Sequence, residues 1–436
     1  TPSNSSAASD VYKRQICMDM TKSRKKEDSD EYEEYVENVT LNSMVPLWHK
    51  NKNEISEEEY NSFYKDKCGD YTDPLCHMHV RNEGTITYDA LLYIPSHTPF
   101  NYYSKDYEKG LQLYANGVLI MDRCEDLLPD YFSFVKGLVD SEDLSLNISR
   151  EMLQHDAQLR QIARSIERTI KNELQRMMKN DREKYEKFYQ AFGLQLKYGI
   201  YQDYGMHKDL LQDLLLFPSS KDGKLVSLKE YVDRMPEGQD KIYYAAGESI
   251  ARIESLPQTE QVKDKGYEIL YFTENVDEFA IRMMQGYQEK QFQSVLDSNL
   301  DLESEEEKKE LEEKQESSKD MLEAVKKALE GKVGNVKLSG RLKSHPVCLS
   351  SEGELSMEMA KTLNAMPGTE GQKLQAQTVL EINPEHPIYQ RLMELQTGDS
   401  VKLDDYAKLL YDQALLIAGM PVEDPVAFSN RICDLM

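Results

Sequence analysis

The chain has 436 residues and a mass of 50.4 kDa, with 78 acidic against 53 basic side chains, a formal net charge of -25 and a pI near 4.8. That length allows two or three domains with sizeable cores. The acidic balance opposes any general affinity for nucleic acid or an anionic membrane, because a phosphate surface needs a basic footprint.

No apolar run approaches the roughly 20 residues that span a bilayer, and no charged-then-apolar signal segment opens the chain. Residues 1–26, polar and then basic from Lys22 to Lys26, read as a disordered or non-native leader that cannot build a core. Residues 32–134 mix strands with short helices. The run TITYDALLYI (85–94), rich in β-branched and aromatic residues, pairs with residues 75–80 as a hairpin. Within it Cys76, His77 and His79 lie close together, but no second ligand pair at finger-like spacing follows, so they read as ordinary strand residues and no metal is expected. The six cysteines are scattered, without a CxxC pair or a disulfide framework, which fits a reducing cytoplasm.

Residues 111–121 form another strand run, broken by an Asn116-Gly117 turn, and residues 129–139 read as the start of a helix. In GLVDSEDLSLNISREMLQ (137–154), Asn147 and Ser149 are N-cap residue types, so a helix is expected to begin at about Arg150. Its apolar stripe is Leu159, Ile162, Ile166, Ile170, Leu174 and Met177, which must pack on the sheet. Arg150 at the positive end of that helix costs roughly 0.3–1 kcal/mol unless an anion lies nearby. Unpaired helix N–H groups beside a guanidinium fork make a phosphate receptor, and the alternative is a local salt bridge to Asp143 or Glu151.

Residues 211–217, 241–246 and 267–272 read as pieces of a smaller α/β unit. The Glu- and Lys-dominated residues 300–319 read as a solvated helix or linker marking the domain junction. Strand-like runs over residues 333–349 and three helical segments follow. In ELSMEMAKTLNAM (354–366), Leu355, Met359 and Leu363 repeat at i,i+4 with Met357 and Met366 beside them: either a core stripe or a surface for irregular partners. The lone Trp48, with Pro99, Phe100, Tyr102 and Tyr103, is either an exposed aromatic patch or a cap on the sheet edge. Residues 404–418 carry Leu409, Leu410, Leu415, Leu416 and Ile417, more than one face can hide, and a final helix from Asp424-Pro425 adds Phe428 and Ile432. Two such hairpins would bury each other in a two-fold four-helix bundle; internal burial within a larger monomer is the alternative.

Motif chemistry is sparse, with no GxxxxGK[ST], HExxH or GxSxG and no dinucleotide-type glycine turn. Longer wording is more informative. LYANGVLIMDRCEDLLPDYFSFVKGLVDSEDLSLNISREMLQ (113–154) closely resembles the middle domain of the heat-shock protein 90 chaperones, the bacterial type most of all. LNSMVPLW (41–48), EEYNSFYK (58–65), ALLYIPSHTPF (90–100), KIYYAAGES (241–249), VLEINPEHPI (379–388) and AGMPVEDPVAFSNRI (418–432) match in the same order.

The resemblance implies a multidomain α+β chain. A gyrase-transducer-like αβα middle domain would occupy residues 27–298, with a large layer to about 190 and a small one over 210–298, before a C-terminal dimerisation domain over 299–436. It implies that Arg150, with Gln154 and Asn147 shaping the same loop, reaches the γ-phosphate of ATP held with Mg by an N-terminal domain lying upstream, so that this chain alone is inactive as an ATPase. It implies that Leu355, Met359, Leu363 and Met366, together with Trp48 and Phe100, meet unfolded clients. Leu409, Leu410, Leu416, Ile417, Phe428 and Ile432 would form a homodimer interface, in a cytoplasmic stress-response chaperone with co-chaperones and without nucleic acid or membrane partners. The alternatives are a dimeric protein-binding scaffold without a nucleotide cycle and, less supported, an independent phosphotransferase using Arg150, which lacks an accompanying base, metal cluster or phosphate loop.

Overall fold

A computed structural model describes residues 17–25, 32–40, 45–144, 156–366 and 374–435. The chain divides into two compact units, Thr1–Gln195 and Leu196–Met436.

The first unit opens with an antiparallel ribbon, β1 (Cys17–Lys25) on β2 (Tyr32–Thr40), in which Arg24 stands opposite Glu33. The expected structureless leader is corrected from Cys17 onward, where the backbone is paired. Helix α1 (Glu57–Cys68) starts in a Ser56/Glu59 capping box and stops at Gly69, whose φ of 65° suits glycine.

A five-stranded sheet follows, built from β3 (Cys76–Glu83), β4 (Thr87–Ile94), β5 (Leu111–Ala115), β6 (Val118–Cys124) and β7 (Lys136–Ser141) in the order β3-β4-β7-β5-β6. The expected β3/β4 hairpin is present, with Cys76 opposite Ile94. Asn116 and Gly117, at φ 52° and 78°, form the tight β5/β6 turn. Residues 129–139 are a correction: a single 3-10 turn over Asp130–Phe132 precedes β7, a central strand. Gly137 is why β7 fits there, because a Cβ on it would stand 2.1 Å from the Leu91 carbonyl oxygen of β4.

Helix α2 (Ala157–Asn180) buries all six predicted stripe residues, and Tyr88 of β4 donates its hydroxyl to Ser165 at 2.7 Å. Asp156 is its N-cap, accepting from the backbone N–H groups of Gln158 and Leu159; the helix start expected at about Arg150 lies outside the described residues. Helix α3 (Arg182–Gln202) carries the chain into the second unit.

There β8 (Leu216–Pro218) pairs with β9 (Leu225–Ser227), while β10 (Lys241–Ala246), β11 (Ile269–Phe272), β12 (Gly286–Tyr287) and β13 (Lys290–Ser294) form a sheet of order β11-β10-β13-β12. Short helices α4 (Lys208–Leu211), α5 (Leu228–Asp233), α6 (Ile250–Glu254), α7 (Gln258–Asp264) and α8 (Asp277–Met284) surround these strands in sequence. Helix α9 (Glu305–Ser317), capped by Ser304 and Glu307, buries no residue, as its charge predicts.

It is not a boundary between compact units, however. Arg341, beyond it, donates to the Val295 and Asp297 carbonyls before it, and Gln258 donates to Leu349 at 2.8 Å. The second unit continues with α10 (Lys319–Ala328), β14 (Asn335–Leu338), β15 (Val347–Glu352), α11 (Met357–Ala365), β16 (Gln377–Ile382), α12 (Pro387–Gly398), α13 (Ser400–Ile417) and α14 (Pro425–Leu435). The sheet β14-β16-β15 packs its Leu338, Leu349 and Leu380 against Met321, Val325, Leu403 and Leu410.

Candidate functional site

Asn147, Arg150 and Gln154 lie outside the described residues. The strand end that leads to them is described, and it is fastened on three sides. The Asp140 carboxylate of β7 accepts from the Trp48 indole N–H at 2.9 Å, the Gly117 backbone N–H at 3.0 Å and a His49 ring nitrogen at 3.0 Å. Burial opposes its charge, yet those donors outweigh burial and hold the carboxyl below its ordinary range. One residue pair further on, Ser141 donates its hydroxyl to the Thr87 carbonyl at 2.7 Å, and Asp143 accepts from the Thr87 backbone N–H at 2.7 Å. Asp143, a candidate local partner for Arg150, is thus already engaged by β4.

Trp48 corrects the expectation of an exposed patch. It is 7% exposed and packs with Tyr60, Tyr64, Tyr93 and Tyr114, so a large aromatic covers the sheet and satisfies its N–H on a carboxylate. The 99–103 loop divides instead: the Tyr102 hydroxyl is buried against Ser133 at 2.8 Å, while Phe100 is fully exposed and Tyr103 largely so. His79 spans the Tyr60 hydroxyl and the Trp48 carbonyl, and His77 stacks on Tyr60, so both serve the packing around this aromatic group.

Helix α11 positions the proposed client residues. Its N-cap Ser356 accepts from the Met359 backbone N–H at 3.0 Å and donates its hydroxyl to Glu278 at 2.6 Å. Burial pushes the Glu278 carboxyl up to about 7, against the lowering influence of Ser356. Sequence reasoning missed Glu278, because nothing local to DEFAIRMM announces a carboxyl that holds the N-cap serine of a helix far along the chain.

The stripe itself splits. Met359 is 6% exposed and lines a cleft with Ala246, Phe272 and Glu278, whereas Leu355 and Leu363 are half-buried and Met366 is exposed. Asn364 clips the Leu374 backbone from both sides, accepting at 2.9 Å and donating at 2.7 Å, which sets exposed Leu374 beside the same helix end.

At the C-terminal end Leu410 is a correction, being 3% exposed within the core of its own unit. Leu409, Ile417 and Phe428 are half-buried, Leu416 and Ile432 are exposed, and α14 buries no residue. Arg431 ties α14 to Asp412 of α13 at 2.8 Å.

The family model described as Hsp90 protein matches residues 3–436, reaching into the stretch set aside above as a leader. The chain is 59% identical to the chaperone protein HtpG of Clostridium perfringens over 429 residues, covering 98% of this chain and 68% of that relative. It is 57% identical to the HtpG of Bacillus subtilis and 55% identical to that of Clostridium botulinum, with the same coverage. With a mixed α/β multidomain fold and a family match over nearly its whole length, the chain belongs to the Hsp90 family of chaperones.

Proposed function

We propose that this chain is the client-holding and self-associating part of an ATP-dependent cytoplasmic chaperone that takes unfolded or partly folded proteins, with co-chaperones as further partners. The observation that carries the client reading is the apolar end of α11, where Met366 and the clipped Leu374 are 43% and 44% exposed beside half-buried Leu363. Flexible methionine and leucine side chains suit partners of irregular shape. A photo-crosslinker placed at Met366 or Leu363 is expected to label an unfolded client, while the same probe at buried Met359 does not. Absence of labelling at both Met366 and Leu363 would remove this reading.

Leu416, Ile417, Phe428 and Ile432 are proposed to meet their counterparts in a second copy, because α14 has no fully buried residue within its own unit. Leu416→Asp combined with Ile432→Asp is expected to convert a dimer to monomer in sedimentation at micromolar concentration. An unchanged sedimentation coefficient would count against the interface.

Nucleotide and Mg are proposed to be held by an N-terminal domain of the whole protein. Among the described residues no group of three or more His, Cys, Asp or Glu side chains is placed to hold a metal ion. Arg150 is proposed to contribute positive charge to the transferring phosphoryl group, with Gln154 and Asn147 shaping its loop.

A further inference from the structure

His49 sits in the short turn Leu47–His49 with each ring nitrogen facing a different carboxylate: Nδ1 lies 2.6 Å from Asp89 of β4, and Nε2 lies 3.0 Å from Asp140 of β7. Only the imidazolium can donate at both nitrogens; the neutral ring must turn a lone pair toward one of the two carboxylates. The same turn presents Trp48, whose indole N–H shares the Asp140 oxygen that His49 meets.

We propose that protonated His49 is a strap that fastens the Trp48 turn across β4 and β7, and that loss of its proton loosens the turn and opens the indole to solvent. Residues 48–140 carry this inference, which is independent of the role proposed for Arg150. The groups around the imidazole favour the charged form. Asp89 and Asp140 are both acidic, and Arg81 of β3 approaches only the far oxygen of Asp89, at 3.9 Å. His79 of β3 is engaged with Tyr60 and the Trp48 carbonyl, and burial lowers its own proton affinity, while nearby Lys52 lowers it further.

The hydrogen bond to Asp140 raises His49 above its ordinary 6.5, against the lowering influence of burial, and Asp89 raises it further. A histidine raised in the folded state contributes fully below its unfolded value and loses that contribution as pH climbs through the folded one. Asp140, held low, stays ionised throughout that window. The strap is therefore complete at slightly acidic pH and slackens on the alkaline side of 6.5.

Trp48 is the single tryptophan of the chain, so acrylamide quenching of its fluorescence reads the turn directly. In the wild type, quenching is expected to rise with pH in one step with a midpoint above 6.5. His49→Gln, which cannot carry charge, is expected to be flat and already at the high-quenching level in mild acid. Asp89→Asn, which keeps the histidine and the Asp140 contact, is expected to move the midpoint down toward 6.5. A flat wild-type profile, a step surviving in His49→Gln, or a midpoint below 6.5, where His79 titrates, would overturn the strap. Should His49→Gln fail to fold, an unmoved midpoint in Asp89→Asn would overturn it as well.

Discussion

Arg150→Ala in a chain that carries its nucleotide domain is expected to cut ATP turnover by about 10³-fold or more, the range seen when an arginine that neutralises transition-state phosphoryl charge is removed. The reasoning starts from the isolated sequence: a guanidinium in the SLNISRE run, amid an acidic loop, needs an anion to justify its place. The Hsp90 family match over residues 3–436 takes in this run. The fold of the variant is expected to be intact, the preceding strand end being held by bonds that run from Asp140 and Asp143 to Gly117, Trp48, His49 and Thr87. Turnover within a few-fold of wild type, at equal urea midpoint, would count against this role for Arg150.

Arg341→Met is expected to lower unfolding free energy by about 3–5 kcal/mol, the usual cost of leaving one member of a buried ion pair alone. Arg341 and Glu381 are 3% and 1% exposed and meet through two bonds, at 3.0 and 2.5 Å. Burial opposes the Glu381 charge, but the Arg341 guanidinium, Lys337 and the Ser350 hydroxyl together outweigh it, so the carboxyl sits below its ordinary value. Without Arg341, Glu381 retains the Ser339 and Ser350 hydroxyls and Lys337 at 3.6 Å, while the Val295 and Asp297 carbonyls lose a donor.

Adding Glu381→Leu to Arg341→Met should recover much of the loss, since replacing both charges with apolar groups removes the stranded carboxylate. Urea denaturation of the single and double variants measures both. A single variant within about 1 kcal/mol of wild type would show that solvent or a neighbour compensates Glu381 and would refute the assignment.

Much of the first unit was legible because its elements follow local periods. Enrichment in β-branched and aromatic residues marked β4, Asn116-Gly117 fixed the β5/β6 turn, and the 3.6-residue stripe gave the buried face of α2. The misreadings arose where partners distant in sequence decide the outcome. Residues 129–139 hold Phe132, Phe134, Val135 and Leu138, an apolar run that does not by itself distinguish helix from central strand. What selects β7 is a place between β4 and β5 that admits Gly137 against the Leu91 carbonyl.

Trp48 was misplaced for a related reason: its carboxylate partner lies 92 residues away. Leu410 and Leu416 look alike in a helical stripe, and only the packing of α13 on β15 separates the buried side from the open one. The acidic α9 was correctly read as solvated, but surface charge says nothing about whether strands on either side of a helix join one core.

The eleven residues of α14 have no buried side chain to hold them, and a helix that short is marginal in water when it stands alone. Its described ties are the Arg431–Asp412 ion pair and half-buried Phe428. With the proposed second copy covering α14, order at this end of the chain becomes a property of concentration: dilution should fray the tail, speed its amide exchange and make it the first place a protease cuts.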